Sequence, residues 1–152
     1  MLVKIVILNW NGAEHLRRFL PSVVTAAPDG MEIIVADNGS TDDSVAVLNA
    51  DFPSVRVIRL DANYGFAEGY NRALAQLKAD CIVLLNSDVE TPAGWLEPLI
   101  AALENDPGVA AVAPKLRALT APAKFEYAGA AGGYIDYLGY PFCRGRILRC
   151  ME

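Results

Sequence analysis

Asp88 lies in the run Asn86-Ser87-Asp88-Val89-Glu90, directly after an apolar stretch that ends at Leu85. Carboxylate and amide oxygens at this spacing suit a hard divalent cation, Mg²⁺ or Mn²⁺, which keeps waters and also takes diphosphate oxygens. A cation bridging two phosphates stabilises charge on a departing nucleoside diphosphate. The same residues also suit a plainer task, with Asp88 or Glu90 capping the next helix. Asp37, in Asp37-Asn38-Gly39-Ser40, carries a similar pair of readings. Its carboxylate either accepts the ring N–H of a pyrimidine or opens a turn into a helix. Trp10, in Asn9-Trp10-Asn11-Gly12, either stacks on a base or closes the end of a sheet. Asp61-Ala62-Asn63-Tyr64-Gly65 completes the polar set.

Each of these segments follows an apolar, β-branched run. The runs are Val3–Leu8, Glu32–Ala36, Val55–Leu60 and Cys81–Leu85, and a fifth spans Val109–Ala113. They are continuous rather than alternating, the pattern of strands covered on both faces. Helical patterns lie between them. Leu16, Phe19, Leu20 and Val23 share one face, with Pro21 predicting a kink or a late start. Ser40-Thr41-Asp42-Asp43 opens a second helix in the manner of a capping box, and Val45, Val47 and Leu48 form its apolar side. Tyr70, Ala73, Leu74 and Leu77 mark a third. Thr91-Pro92 is predicted to start a fourth, with Trp95, Leu96, Leu99, Ile100 and Leu103 facing inward.

Strand–helix alternation of this kind predicts an α/β fold, a parallel sheet with right-handed crossovers and helices on both faces. Ligands of open α/β sheets bind outside the carboxyl ends of the strands, where strand order reverses. Four polar, glycine-punctuated loops therefore meet at one edge. Residues 1–113 carry the regular repeats. Residues 114–152, rich in Ala, Gly and Tyr, are expected to be loops with one or two short strands within the same single domain.

Several functions are disfavoured by what is missing. No G-x-G-x-x-G follows the first run, and no G-x-x-x-x-G-K-[ST] or G-x-S-x-G occurs. The one histidine, His15, reads as an exposed helix position beside Arg17 and Arg18. A net charge of −5 without a basic run disfavours nucleic acid as a partner. With 53% apolar and 20% charged residues, the 152-residue chain has material for a packed core. Three cysteines at no metal spacing and an N-terminus without a signal-peptide pattern point to a cytoplasmic protein. Attachment to the inner membrane face through other segments or partners stays open.

Four segments, VKIVILNWNG, EIIVADNGSTDDSV, ANYGFAEGYNRAL and CIVLLNSDVETPAGWLEPLI, occur in this order. Together they resemble the inverting family 2 glycosyltransferases over about residues 3–105. The resemblance implies the GT-A fold, a three-layer α/β/α, Rossmann-like architecture with a mainly parallel sheet, here truncated. It implies a hexosyltransferase-type enzyme that binds a nucleotide-diphosphate sugar. By similarity, Asn9, Trp10, Asn11 and Asp37 contact base and ribose. Asn63, Gly65 and Asn71 match the glycine-loop-and-helix element beside the donor. Asn86-Ser87-Asp88 matches a D-x-D motif whose first aspartate is Asn86, so a weak Mg²⁺ or Mn²⁺ site rests on Asp88. Gly129–Gly145, with Arg144 and Arg146, resembles a rhamnosyltransferase-like subgroup and favours a UDP- or dTDP-linked donor.

In that family a carboxylate deprotonates the acceptor, a cell-surface glycan or a lipid-linked sugar, as it attacks the anomeric carbon. The family's base comes from a segment after the donor half, so no catalytic residue is assigned here. Glu126 and Asp136 read as structural polar positions, and Arg144, Arg146 and Arg149 as a solvated tail. A sugar-nucleotide-binding module without turnover, or an inactive fragment lacking the acceptor half, is the alternative. A nucleotidyltransferase is disfavoured, because Asn9-Trp10-Asn11-Gly12 is not a glycine-rich basic loop. Tyr134, Tyr137, Leu138, Tyr140 and Phe142 are the expected surface for a homodimer.

Overall fold

The first four apolar runs form strands, and three of them extend into polar residues at the carboxyl end, β1 to Asn9, β2 to Asn38 and β4 to Asn86. A computed structural model describes residues 1–127, 131–143, 146, 147, 149 and 150. The strands are β1 (Val3–Asn9), β2 (Glu32–Asn38), β3 (Arg56–Leu60) and β4 (Cys81–Asn86). All pair in parallel, in the order β3-β2-β1-β4. Helices α1 (Ala13–Ala26), α2 (Ser44–Asp51) and α3 (Gly65–Leu74) connect them, and α4 (Glu97–Asn105) follows. The chain divides into two compact units, Met1–Ala93 and Gly94–Glu152. Among the described residues, no helix is long and apolar enough to cross a membrane.

Right-handed crossovers dictate how the first unit is layered. Moving from β1 to β2 to β3 carries α1 and α2 to one face, and returning from β3 to β4 carries α3 to the other. Accordingly α1 lies beside α2, while α3 crosses β1, β2 and β3. Alternation along the strands divides the core the same way. Val6, Ile34, Ile58 and Leu60 cluster with Tyr70 of α3, and Leu8, Tyr64, Leu74, Leu77 and Ile82 pack around them. Ile5, Ile7, Ile33 and Val35 point to the opposite face and are buried, as are Leu16, Phe19, Leu20 and Val23 of α1. At the amino end of the sheet, Lys4 Nζ meets Glu32 Oε2 at 2.6 Å and Arg56 Nη1 meets Glu32 Oε1 at 3.1 Å. That ladder ties β1, β2 and β3 together at the end remote from the polar loops.

Four expectations need correction. Pro21 sits inside α1, which starts at Ala13 and not after the proline. The capping box at Ser40–Asp43 does not form, because α2 begins at Ser44 and Ser40 turns toward the β1 loop. The fourth helix starts at Glu97, with Pro98 in its first turn; Leu96 just before it is buried, and Trp95, Leu99, Ile100 and Leu103 are half-buried. Thr91 instead donates its N–H to Ser22 Oγ of α1 at 3.1 Å. Val109–Ala113 forms no strand. Three alanines give that run little to bury, and a strand without a hydrogen-bonded neighbour has no ladder to join.

In the second unit the short strands pair as antiparallel hairpins. β5 (Arg117–Ala118) pairs with β6 (Ala121–Phe125), β7 (Gly133–Ile135) with β8 (Pro141–Cys143), and β9 (Arg146–Ile147) with β10 (Arg149–Cys150). Asp136 shapes the β7–β8 turn, its Oδ1 accepting from the N–H groups of Leu138 and Tyr140 at 2.9 Å each. Asp136 is thus a turn-forming residue, as its structural reading expected. Tyr134, Tyr137, Leu138 and Tyr140 are exposed on this hairpin. Of the 129–145 segment, Gly129, Ala130, Arg144 and Gly145 lie outside the described residues, as do the side chains of Phe142, Arg146 and Arg149.

Candidate functional site

The carboxyl ends of β1 and β2 bring Asn9 and Asp37 side by side as cross-strand partners. Each is only 1% exposed. Ser40 links them: Asn9 Nδ2 donates to its Oγ at 3.3 Å, and its own N–H donates to Asp37 Oδ2 at 3.3 Å. Asn11, the one described non-glycine residue at positive φ (50°), also donates its N–H to Ser40 Oγ. Asn11 Oδ1 in turn accepts the N–H of Thr41 at 2.7 Å and that of Asp42 at 3.3 Å. Its side-chain oxygen therefore braces the β1 loop against the β2 loop.

Asp42 completes this brace in a way the sequence did not announce. Its Oδ2 accepts the N–H of Ala13 and its Oδ1 that of Ser44, both at 3.0 Å. One carboxylate thereby satisfies the first orphan N–H of two helices, where the helix dipoles favour negative charge. Burial raises the Asp42 pKa, but hydrogen bonds from Ser44 and Ala13 outweigh it and hold the carboxyl below its ordinary value. Ser44 Oγ accepts the N–H of Gly12 at 3.2 Å. Two acceptors in this well-braced corner, Asn9 Oδ1 and Asp37 Oδ1, are buried without a hydrogen-bond partner. Trp10 beside them is 56% exposed, so its ring covers little of the sheet's end.

A second corner forms around Asn38, whose neighbours on β2 face opposite ways by strand alternation. Asn38 Nδ2 donates to Asn63 Oδ1 at 3.0 Å and to Gly65 O at 2.9 Å, and its Oδ1 accepts the N–H of Tyr64 at 3.0 Å. Asn63 Oδ1 also accepts the N–H of Gly65 at 2.8 Å. Asn63 and Gly65 thus come together as a fixed turn entering α3. Gly39 must be glycine here, with φ at +72° and a Cβ that would fall 2.6–2.8 Å from backbone atoms of Ala62 and Asn63. Asn71 lies six residues into α3 and is exposed, roughly 9 Å along the helix from its start.

Strand order reverses between β1 and β4, where Leu8 pairs with Asn86. The Asn9–Asn11 loop and Asn86-Ser87-Asp88 leave the sheet on either side of this switch, the position at which open α/β sheets bind ligands. Asn86 and Asp88 are exposed and Ser87 is half-buried. Among the described residues, no three His, Cys, Asp or Glu side chains gather as metal ligands. The donor set at Asp88 is one carboxylate with neighbouring amide and hydroxyl oxygens. Such a set fits Mg²⁺ or Mn²⁺ sharing its shell with water and phosphate, not a cation caged by protein alone.

Tyr70 reaches the same switch from α3. Its hydroxyl accepts the N–H of Leu8 at 3.4 Å and donates to Leu85 O at 3.1 Å. Burial pushes the Tyr70 pKa up, with the Leu8 hydrogen bond acting in the opposite direction. Tyr70, Asn38, Ser40 and Asp42 brace these loops, yet by sequence they read as turn, cap or hydrophobic-face positions, and Ser44 carried no reading at all.

A family model described as glycosyl transferase family 2 matches residues 4–128. The chain belongs to that family. It is 29% identical over 127 residues to the N-acetylglucosaminyl-diphospho-decaprenol L-rhamnosyltransferase of Mycobacterium tuberculosis. The match covers 76% of this chain and 41% of that relative, so this glycosyltransferase chain spans about two fifths of the relative's length. In fold it is similar to the mannosyltransferase PcManGT of Pyrobaculum calidifontis, solved with GDP-Man and Mn²⁺. There the TM-score is 0.67 at 23% identity, covering 76% of this chain and 36% of that one. It is also similar to S. aureus TarS 1-349 solved with UDP-GlcNAc, with a TM-score of 0.60 at 21% identity over 69% of this chain and 32% of that one. The α/β architecture with a parallel sheet is thus that of GT-A glycosyltransferases, as the resemblance implied.

Proposed function

We propose that this family 2 glycosyltransferase chain binds a UDP- or dTDP-linked sugar across the β1/β4 switch, for inverting transfer to a glycan or lipid-linked acceptor. One observation carries the reading: Asp37 Oδ1 is buried beside Asn9 Oδ1, and neither oxygen has a hydrogen-bond partner. A buried acceptor left unpaired costs about 1–3 kcal/mol, more when charged, so this corner suits a ligand that brings a donor. The ring N–H of uracil or thymine is such a donor. Trp10, exposed at the rim, offers a face on which the base stacks.

Across the switch, Asp88 with Asn86 and Ser87 would hold Mg²⁺ or Mn²⁺ against the diphosphate. The cation would supply charge stabilisation for the departing nucleotide. The chain's own residues bind and orient: the brace through Ser40, Asn11 and Asp42 holds the base corner, and Asn38 holds Asn63 and Gly65 beside it. The names of the similar proteins support this reading. One was solved with a nucleotide sugar and Mn²⁺, another with UDP-GlcNAc, and the relative is named an N-acetylglucosaminyl-diphospho-decaprenol L-rhamnosyltransferase. The proton acceptor of the reaction is not assigned to any described residue.

Thermal unfolding tests the site. UDP or dTDP with Mn²⁺ is expected to raise Tm, by the equivalent of about 2.7 kcal/mol at a hundredfold excess over Kd. Asp88→Ala should remove the Mn²⁺-dependent part of the rise and leave the ligand-free Tm unchanged. No rise at millimolar nucleotide would refute the donor site, and an unchanged metal dependence would remove Asp88 from it.

A further inference from the structure

The hydroxyl of Tyr70 occupies a place that a purely apolar helix face does not require. Its ring belongs to the core cluster with Val6, Ile34, Ile58 and Leu60, and a phenylalanine would fill that space equally well. Yet the hydroxyl touches one backbone donor on β1 and one backbone acceptor on β4, Leu8 N–H and Leu85 C=O. Leu8 pairs with Asn86 in the β1–β4 register, so these two groups face each other one residue out of step. They lie at the last rungs before the two strands part. Immediately beyond them come Asn9, with its buried unpaired oxygen, and Asn86-Ser87-Asp88.

From this geometry we infer that Tyr70 is a positioning residue, whose hydroxyl sets how the carboxyl ends of β1 and β4 diverge and so places Asp88 relative to Asn9. The inference rests on the donor-site reading above. The 3.1 Å hydrogen bond to Leu85 C=O and the longer 3.4 Å contact with Leu8 N–H join the two strands at one place, and hydrogen bonds are directional whereas dispersion contacts are not. Phe66, packed edge-on against the Tyr70 ring at 5.0 Å between centroids, restrains the ring from the rim side. The base corner has its own brace through Ser40 and Asp42, whose hydrogen bonds do not involve Tyr70. Loss of the hydroxyl should therefore separate the two halves of the site: metal-dependent binding suffers and metal-independent binding persists.

Calorimetric titration of UDP and dTDP, in Mn²⁺ and in EDTA, reads this split. In Tyr70→Phe the affinity gained on adding Mn²⁺ is expected to fall about tenfold to a hundredfold, the usual range when a residue supporting a metal ligand is lost. Affinity in EDTA should stay within about twofold, because the base corner is untouched. Leu74→Ala, which thins the same cluster without touching the hydroxyl, is the control for lost stability and should keep the full Mn²⁺ gain. A Tyr70→Phe chain that keeps the full gain, or a Leu74→Ala chain that loses it equally, overturns the inference. Wild-type chain that binds neither nucleotide overturns the donor-site reading and this inference with it. Should Tyr70→Phe fail to fold, 3-fluorotyrosine at position 70 replaces it. Its fluorine resonance is expected to shift on UDP with Mg²⁺ and not on UDP alone, and an unmoved resonance overturns the inference.

Discussion

Replacing Asn38 by alanine is the most direct test of how the site is held. Asn38 is 2% exposed, and its side-chain amide makes three hydrogen bonds, to Asn63 Oδ1, Gly65 O and Tyr64 N–H. Asn63 and Gly65 are exposed, so water can replace their lost donor at small cost. Tyr64 is half-buried, and its N–H loses its acceptor less cheaply. At about 1 kcal/mol for each net hydrogen bond, discounted for the two water-accessible acceptors, the loss comes to about 2–3 kcal/mol. For a chain of this size that lowers Tm by roughly 5–10 °C, at about 2–4 °C per kcal/mol. Differential scanning calorimetry of the variant gives the number. Hydrogen exchange at Tyr64 and Gly65 should rise with it, because the turn entering α3 loses its anchor. Asn38→Asp keeps the acceptor for Tyr64 N–H but sets a carboxylate against two oxygens, so it should destabilise at least as much as alanine. A Tm within 2 °C of wild type in both variants, judged against about 2–4 °C per kcal/mol, would refute the claim that Asn38 holds this loop.

Two further perturbations address the fold around the site. Gly39→Ala and Gly30→Ala impose similar backbone strain, at φ +72° and +79°, but only Gly39 would drive a Cβ into backbone, that of Ala62 and Asn63. Gly30→Ala should cost about 1–2 kcal/mol in chemical denaturation and Gly39→Ala distinctly more, whereas equal losses would show that the close approach is not limiting. Glu32 supplies a pH test: its hydrogen bond with Lys4, the largest cause, lowers its pKa from 4.5, with burial opposing and Arg56 assisting. A lowered pKa means stability fully present above the unfolded value and lost as pH falls through the folded one. The Tm advantage of wild type over Glu32→Gln should thus be steady near neutrality and shrink as pH falls below 4.5, and a gap that widens in acid would contradict the ladder. Glu32 is partly solvated, so the neutral-pH gap should be about 1 kcal/mol or less.

The sequence by itself determined the parallel sheet and the edge at which chemistry sits. Both follow from local periodicity: continuous apolar runs need cover on two faces, and a polar, glycine-bearing turn after each run can only lie at a strand's carboxyl end. The ordered segments carrying the family likeness occupy those same places, so the loops that carry the residues proposed for the donor site were legible as a set. Their individual tasks were not. Asn11 and Asn63 each spend a side-chain oxygen on a turn, and Asp42 serves two helices at once. Such roles require loops about 25–30 residues apart to meet, as in the hydrogen bonds from Asn38 to Gly65 and from Thr41 to Asn11. No local window of sequence contains that information. Val109–Ala113 shows the converse, since its local preference for strand meets no partner among the described residues. Tertiary structure alone decided where strand order reverses, and with it the pairing of Leu8 with Asn86 that brings Asn9, Asp88 and the Tyr70 hydroxyl to one switch. The physical reason is that a strand's neighbour is chosen by the burial of both faces of the whole sheet, a property no single segment possesses.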